Sequence, residues 1–211
     1  MTKIFLKLRQ RFGFPFTILV YLVRFLRKIS DISIAKVGSS RNLVKYPLDN
    51  DYENRMIDFE QFGEATGKSG DQFEAAFSRG DTCLASFKKD GDELAGYNFF
   101  TTLPTTVNDQ IEFIFSHDYM YSYAAYTFFA HRNKGLSPSR WTSHREWRIA
   151  KGHSPHTIHY IEIHNTSSLI SGDNKDTLIL GYTGYLKLWG RIWCWRSAGC
   201  KKAGAGFRVR V

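Results

Sequence analysis

The spacing of apolar positions changes along this chain, and each change marks an element. Phe14 to Val23 is an unbroken run of ten mostly apolar residues. On a helix, Thr17, Tyr21, Arg24 and Lys28 fall on one narrow polar stripe. Phe16, Ile18, Leu19, Leu22, Val23, Phe25, Leu26 and Ile29 surround it. Such a helix must bury a wide face against the domain, a second copy or a lipid interface. Arg24 ends the run well short of the roughly 20 apolar residues that cross a bilayer. No small-x-small cleavage pattern follows it, as a signal peptide would require.

Beyond this segment, Ile32–Val37 reads as a short strand. Residues 49–78 mix acids with apolar residues at helical spacing and read as one or two short helices, broken by Gly63, Gly67 and Gly70. Thr82–Phe87 and Leu94–Thr101 flank an Asp-Gly turn and predict a β-hairpin. Ile111–Phe115 is expected to extend that sheet. Tyr119–Phe129, dense in Tyr, Phe and Ala, reads as a strand buried on both faces. Ser137 and Pro138 suit the cap and first position of a helix running to about Ala150. Thr157–Ile163 is a β-branched strand, Asn165–Ser168 opens a short helix or turn, and Leu178–Trp195 holds one or two strands. The order predicts a mixed α/β fold with a strand–helix–strand crossover at its centre.

The 211 residues suit one globular domain, here 31–211, preceded by a basic amphipathic segment, 1–30. The net charge of +9 is unevenly placed. Residues 1–30 carry seven Lys and Arg with no acid, residues 187–211 carry another seven with no acid, and the body between is net −5. That distribution disfavours a uniform nucleic-acid coat and leaves a membrane-surface or polyanion contact through the ends open. Three cysteines without a CxxC pair exclude a disulfide scaffold and suggest a reducing, cytoplasmic setting.

The candidate chemistry begins at Arg132-Asn133-Lys134-Gly135-Leu136-Ser137, where a strand gives way to a helix. Unpaired N–H groups at a helix start favour an anion, Gly135 lets backbone approach a phosphate, and Arg132 and Lys134 add charge. The alternative is an ordinary turn with solvated basic residues. Carboxylates able to take a proton include Glu112, Asp118 and Glu162, with His117 beside them. Glu162 interrupts an apolar strand, where burial favours the neutral acid. A pairing partner or a sheet edge is the competing account of it. His153, His156, His159 and His164 invite a zinc reading, but on a strand His159 and His164 point to opposite faces, so no metal is expected. Trp189, Trp193 and Trp195 interleave with Arg191 and Arg196. That pattern fits a core or dimer strand better than a base-stacking surface.

Residues 80–190 resemble the GNAT superfamily of acyl-CoA-dependent N-acetyltransferases. The segment TCLASFKKDGDELAGYNFF looks like the family's second and third strands. YAAYTFFAHRNKGLSPSRW looks like its fourth strand, pyrophosphate loop and third helix. IHYIEIHNTSSL resembles its fifth strand and following Asn, and LGYTGYLKLWG is similar to its C-terminal Gly-aromatic segment. The resemblance implies a GNAT-like central mixed, mostly antiparallel sheet flanked by helices. It implies acetyl-CoA as co-substrate, with the pyrophosphate on Arg132 to Ser137. The strand near Phe128 and Phe129 would pair with the pantetheine arm, and Asn165 and Ser168 would meet its far end. The family's acid Tyr is absent near Thr177, so Tyr182 or Tyr185 would substitute, with Glu112 or Glu162 as base. The implied acceptor is an amine on a small molecule, sugar or peptide. A non-catalytic CoA-binding or nucleic-acid-binding module using the basic termini is the alternative. A homodimer and a peripheral contact with the inner membrane face through residues 1–30 stay open.

Overall fold

The computed structural model describes residues 3–40, 46–67, 71–172 and 177–210. It begins with α1 (Lys3–Phe12), α2 (Phe14–Leu26), β1 (Asp31–Ser40), β2 (Tyr52–Ile57), α3 (Phe59–Thr66) and α4 (Asp71–Ser78). β3 (Thr82–Lys88), β4 (Glu93–Thr101), β5 (Thr105–Asn108), β6 (Ile111–Ile114) and β7 (Met120–Thr127) follow. After a 3-10 turn come α5 (Leu136–Ala150), β8 (Thr157–Glu162), α6 (Thr166–Gly172), β9 (Thr177–Leu188), β10 (Arg191–Arg196), α7 (Ala198–Lys202) and β11 (Gly206–Val209). The fold is mixed α/β with mostly antiparallel strands flanked by helices, as expected. The chain forms two compact units.

The first unit joins Met1–Arg41, Pro104–Ser116 and Ile158–Val211. Its strands lie in the order β10-β9-β1-β8, with β9 antiparallel to both β1 and β10. β5, β6 and β11 form a separate antiparallel sheet. Gly13, at φ 83°, turns the chain between α1 and α2, and the backbone there is in the region glycine tolerates at little cost. Leu8, Val20 and Val23 bury their side chains with Ile163 and Leu169. Phe207 packs edge to face on Phe113 and Tyr160, whose own rings are tilted, with ring centroids 4.8–5.9 Å apart.

The second unit joins Asn42–Leu103 and His117–Thr157, with strand order β7-β4-β3-β2. Its core is aromatic. Phe62 of α3 meets Phe73 at 4.9 Å, Tyr97 at 5.1 Å and Phe99 at 5.5 Å. α3 starts with a capping box, in which Asp58 and Gln61 each accept the other's backbone N–H. The hairpin β3–β4 forms as its Asp-Gly turn predicts, with Lys88 opposite Glu93.

Several sequence expectations are corrected. Residues 49–78 contain a strand, β2, ahead of two helices. Its alternating burial and its antiparallel register with β3 (Tyr52 opposite Lys88, Ile57 opposite Cys83) outweigh the weak helical spacing. Ile111–Phe115 does not extend the hairpin sheet, because β6 pairs with β5 and β11. β7 is buried only in its first half, and Tyr126 is exposed. The helix after the loop starts at Leu136 with Gly135 as cap. Ser137 is therefore not the cap, and Pro138 stands third in the helix, where a missing N–H still costs nothing. The expected polar stripe of α2 is split: Thr17 and Arg24 turn toward the protein, while Tyr21 and Lys28 stay exposed. Thr17 is fully buried, its hydroxyl donating to the Gly13 carbonyl at 2.9 Å. The Arg24 guanidinium donates to the His164 carbonyl at 2.9 Å and to Thr166 Oγ1 at 3.1 Å. Val20 and Val23 bury beside Thr17, while Phe14, Ile18, Leu22 and Phe25 point outward.

Candidate functional site

The turn between β7 and α5 lies in the second unit. Phe128 donates its N–H to the Ala95 carbonyl at 3.0 Å, so its backbone belongs to the β4 edge. Its ring stands perpendicular to Tyr126, 5.1 Å away. Phe129 is exposed, and the Arg132 guanidinium covers its face at 5.5 Å while donating to the Thr127 carbonyl. Asn133 and Gly135 both take left-handed backbone, at φ 64° and 70°. Asn tolerates this conformation better than most side chains, and Gly135 adopts it freely. A Cβ on Gly135 would point into open space. No side chain caps the first turn of α5, so the N–H groups of Leu136 and Ser137 have no side-chain acceptor from the cap. Leu136 anchors the turn by burying its side chain with Tyr52 and Ala95. Lys134 lies 4.0 Å from Asp49. The turn thus sets helix-start N–H groups beside Arg132 and Lys134, a chemistry suited to phosphate.

Arg140, one turn further on, is wholly buried, and sequence reasoning passed over it. Its guanidinium donates to Ser86 Oγ, the Tyr126 carbonyl and Thr127 Oγ1, each at 3.0 Å. It therefore ties the end of β7 to the helix that opens beside the turn. Burial pushes its pKa down to about 10, and the guanidinium is still charged at neutral pH. No sequence signal separates this arginine from a solvated one. A shallow cleft runs along the same helix, lined by Tyr46, Pro47, Leu48, Ser139, Thr142, Ser143 and Glu146.

The predicted proton-transfer residues lie in the first unit. Ser33 of β1 stands opposite Tyr185 of β9 in the sheet register. The same Ser33 donates its hydroxyl to Glu162 Oε1 at 2.5 Å. Arg27 lies 3.5 Å from that oxygen, and His164 Nε2 lies 3.3 Å from Oε2. Burial lowers the His164 pKa against the attraction of Glu162. Tyr185 is buried. Desolvation, with Asp31 and Glu162 nearby, raises its hydroxyl to about 12. Glu162 and Tyr185 thus share one electrostatic cluster. Glu112 sits in the separate sheet, where the Arg208 Nε donates to its carboxylate at 2.9 Å. Asn165 caps α6, its side-chain oxygen accepting from the Ser168 N–H at 3.3 Å and from Ser167. The partners Ser33, Asp31 and Arg27 carried no motif in the sequence, since only sheet pairing brings them to Glu162 and Tyr185.

Among the described residues no group of three or more His, Cys, Asp or Glu stands together as a metal cluster. Also among the described residues, no helix is long and apolar enough to cross a membrane.

No protein-family model matches this chain, and no curated protein matches it. Solved structures do. A Drosophila protein is 12% identical, with a TM-score of 0.48, over 81% of this chain and 58% of that one. A tandem GNAT protein from the clavulanic acid biosynthesis pathway is 9% identical, with a TM-score of 0.46, over 79% and 58%. A GCN5-related N-acetyltransferase from Kribbella flavida is 10% identical, with a TM-score of 0.46, over 77% and 61%. The chain thus spans less than two thirds of the length of each. These are likenesses to solved structures at 9–12% identity, and each TM-score is below 0.5.

Proposed function

We propose that this protein is an acyltransferase of the GNAT kind, moving the acetyl group of acetyl-CoA to an amine on a small molecule, sugar or peptide. The observation that carries the reading is the Gly135 turn, whose left-handed backbone opens α5 without a side-chain cap and with open space where a Cβ would stand. In this reading the backbone from Arg132 to Ser137, with Asn133, Lys134 and Leu136, holds the diphosphate. Phe128 and Phe129 border the pantetheine arm, and Asn165 and Ser168 meet its far end. The amine nitrogen forms the new bond to the acetyl carbon and gives its proton to a carboxylate. The C–S bond breaks, and the departing thiolate takes a proton from a tyrosine hydroxyl.

Glu162 is the base and Tyr185 the acid, and their shared cluster supports the pairing. A hydroxyl with a pKa near 12 stays protonated at neutral pH and can donate to the departing sulfur, although full transfer to a thiolate of pKa about 8.5 runs uphill. Glu112, held by Arg208, is the second candidate base. The test is thermal stabilisation by acetyl-CoA. A rise in melting temperature that Gly135→Glu abolishes supports the reading. No rise with the parent protein sinks it.

A further inference from the structure

The outward face of α2 is apolar where a surface helix is ordinarily polar. Phe14, Ile18, Leu22 and Phe25 fall within an arc of about 80° on a helix with 100° per residue, and all are exposed. Phe25 is 59% exposed, and Ile29 in the following turn is 69% exposed. Thr17, Val20 and Val23, on the opposite side, are the residues that bury. The helix therefore covers Thr17, Val20 and Val23 and presents the apolar stripe of Phe14, Ile18, Leu22 and Phe25 to the surroundings.

The charge carried by the segment itself has one sign. Residues 1–30 carry seven Lys and Arg and no acid. Lys7, Arg9 and Lys28 are exposed, and the Arg9 guanidinium lies 5.7 Å from the Phe14 ring centroid, at the edge of the stripe. Arg27 is turned toward Glu162 and is not counted among them.

We infer that α1 and α2 dock flat on an anionic lipid surface, with Phe14, Ile18, Leu22 and Phe25 entering the acyl boundary and Lys7, Arg9 and Lys28 among the headgroups. An apolar stripe rimmed by cations is the pattern of an interfacial helix. α2 has 13 residues, too few to span a bilayer, which leaves lying in the interface. A second copy fits this face poorly. A two-fold contact sets a surface against itself, and here that would bring the same cations together with no acid from residues 1–30 to offset them. Anionic headgroups supply that offset. This inference is independent of the acyl-transfer reading.

The experiment is flotation of the full chain with vesicles of phosphatidylcholine alone and of phosphatidylcholine mixed with phosphatidylglycerol. The protein is expected to float with the mixed vesicles and not with phosphatidylcholine alone, and to be released by added salt. Leu22→Ser with Phe25→Ser should weaken binding about tenfold or more, with the melting temperature of the protein unchanged. Lys7→Glu with Lys28→Glu should weaken it too, separating charge from apolar insertion. Absence of flotation with the mixed vesicles overturns the inference. So does flotation that ignores both double substitutions, or a dimer without lipid binding that Leu22→Ser with Phe25→Ser dissolves.

Discussion

Ser33 gives its hydroxyl hydrogen to Glu162 at 2.5 Å from the strand that also sets it opposite Tyr185. One serine thus stands between the proposed base and the proposed acid. Substituting either partner should separate chemistry from binding. Tyr185→Phe is expected to lower kcat with little change in KM for acetyl-CoA. Glu162→Gln should lower kcat by about 10²- to 10⁴-fold, the usual worth of a positioned general base. Steady-state kinetics with an amine acceptor check both. Activity unchanged in Glu162→Gln would transfer the role to another carboxylate, with Glu112 next.

Gly135→Ala separates backbone conformation from steric filling. The added Cβ meets no atom within 4 Å, so its cost comes from φ 70° alone, about 1 kcal/mol of stability. Gly135→Glu adds a carboxylate where a diphosphate is proposed to sit. Calorimetric titration with CoA should show modest weakening for Ala and loss of binding for Glu. Equal affinity in both variants would remove the turn from the site.

Arg140→Ala should lower stability by about 2–4 kcal/mol, read from the urea midpoint. The substitution strands the Tyr126 carbonyl, Ser86 Oγ and Thr127 Oγ1, and empties a fully enclosed volume. Arg140→Lys should recover only part, because one ammonium cannot reproduce a planar fork. Parent-like stability in Arg140→Ala would mean that the cost of burying the cation cancels its three hydrogen bonds.

Two buried histidines set a dependence on pH. His144 stacks on Phe100, with ring centroids 3.6 Å apart, and burial, aided by Arg148, pushes it down to about 3. His159 is enclosed, and burial, aided by Lys36, pushes it down to about 4. Above pH 6.5 both are neutral folded or unfolded, and stability is level. As pH falls from 6.5 toward 4, the unfolded chain binds protons that the fold refuses, and stability drops. The slope approaches about 1.4 kcal/mol per pH unit for each histidine. Urea unfolding at a series of pH values checks this, and His159→Gln should flatten the curve. A level curve for the parent protein down to pH 4 would contradict the assignment.

Local chemistry made some of this legible in advance. Asp90-Gly91 between two apolar runs fixed the β3–β4 hairpin, because Gly91 takes φ 97° freely. The glycine before the helix at residue 136 marked the turn. The cap was misplaced by two residues because Ser137 and Pro138 form a stronger written signal than Gly135. β2 stayed hidden since its six residues become a strand only by pairing with β3.

What the sequence by itself determined is whatever depends on neighbours along the chain. That includes the hairpin, the glycine turn, the apolar run of α2 and the placement of charge at the two ends. Only the tertiary structure decided which face of α2 is covered. Periodicity locates a stripe but not its partner, and here the carbonyl of His164 and the hydroxyl of Thr166 draw Arg24 inward. The same holds for Arg140 and for the Ser33–Glu162–Tyr185 alignment. Each depends on strands distant in sequence coming into register, which no local pattern records.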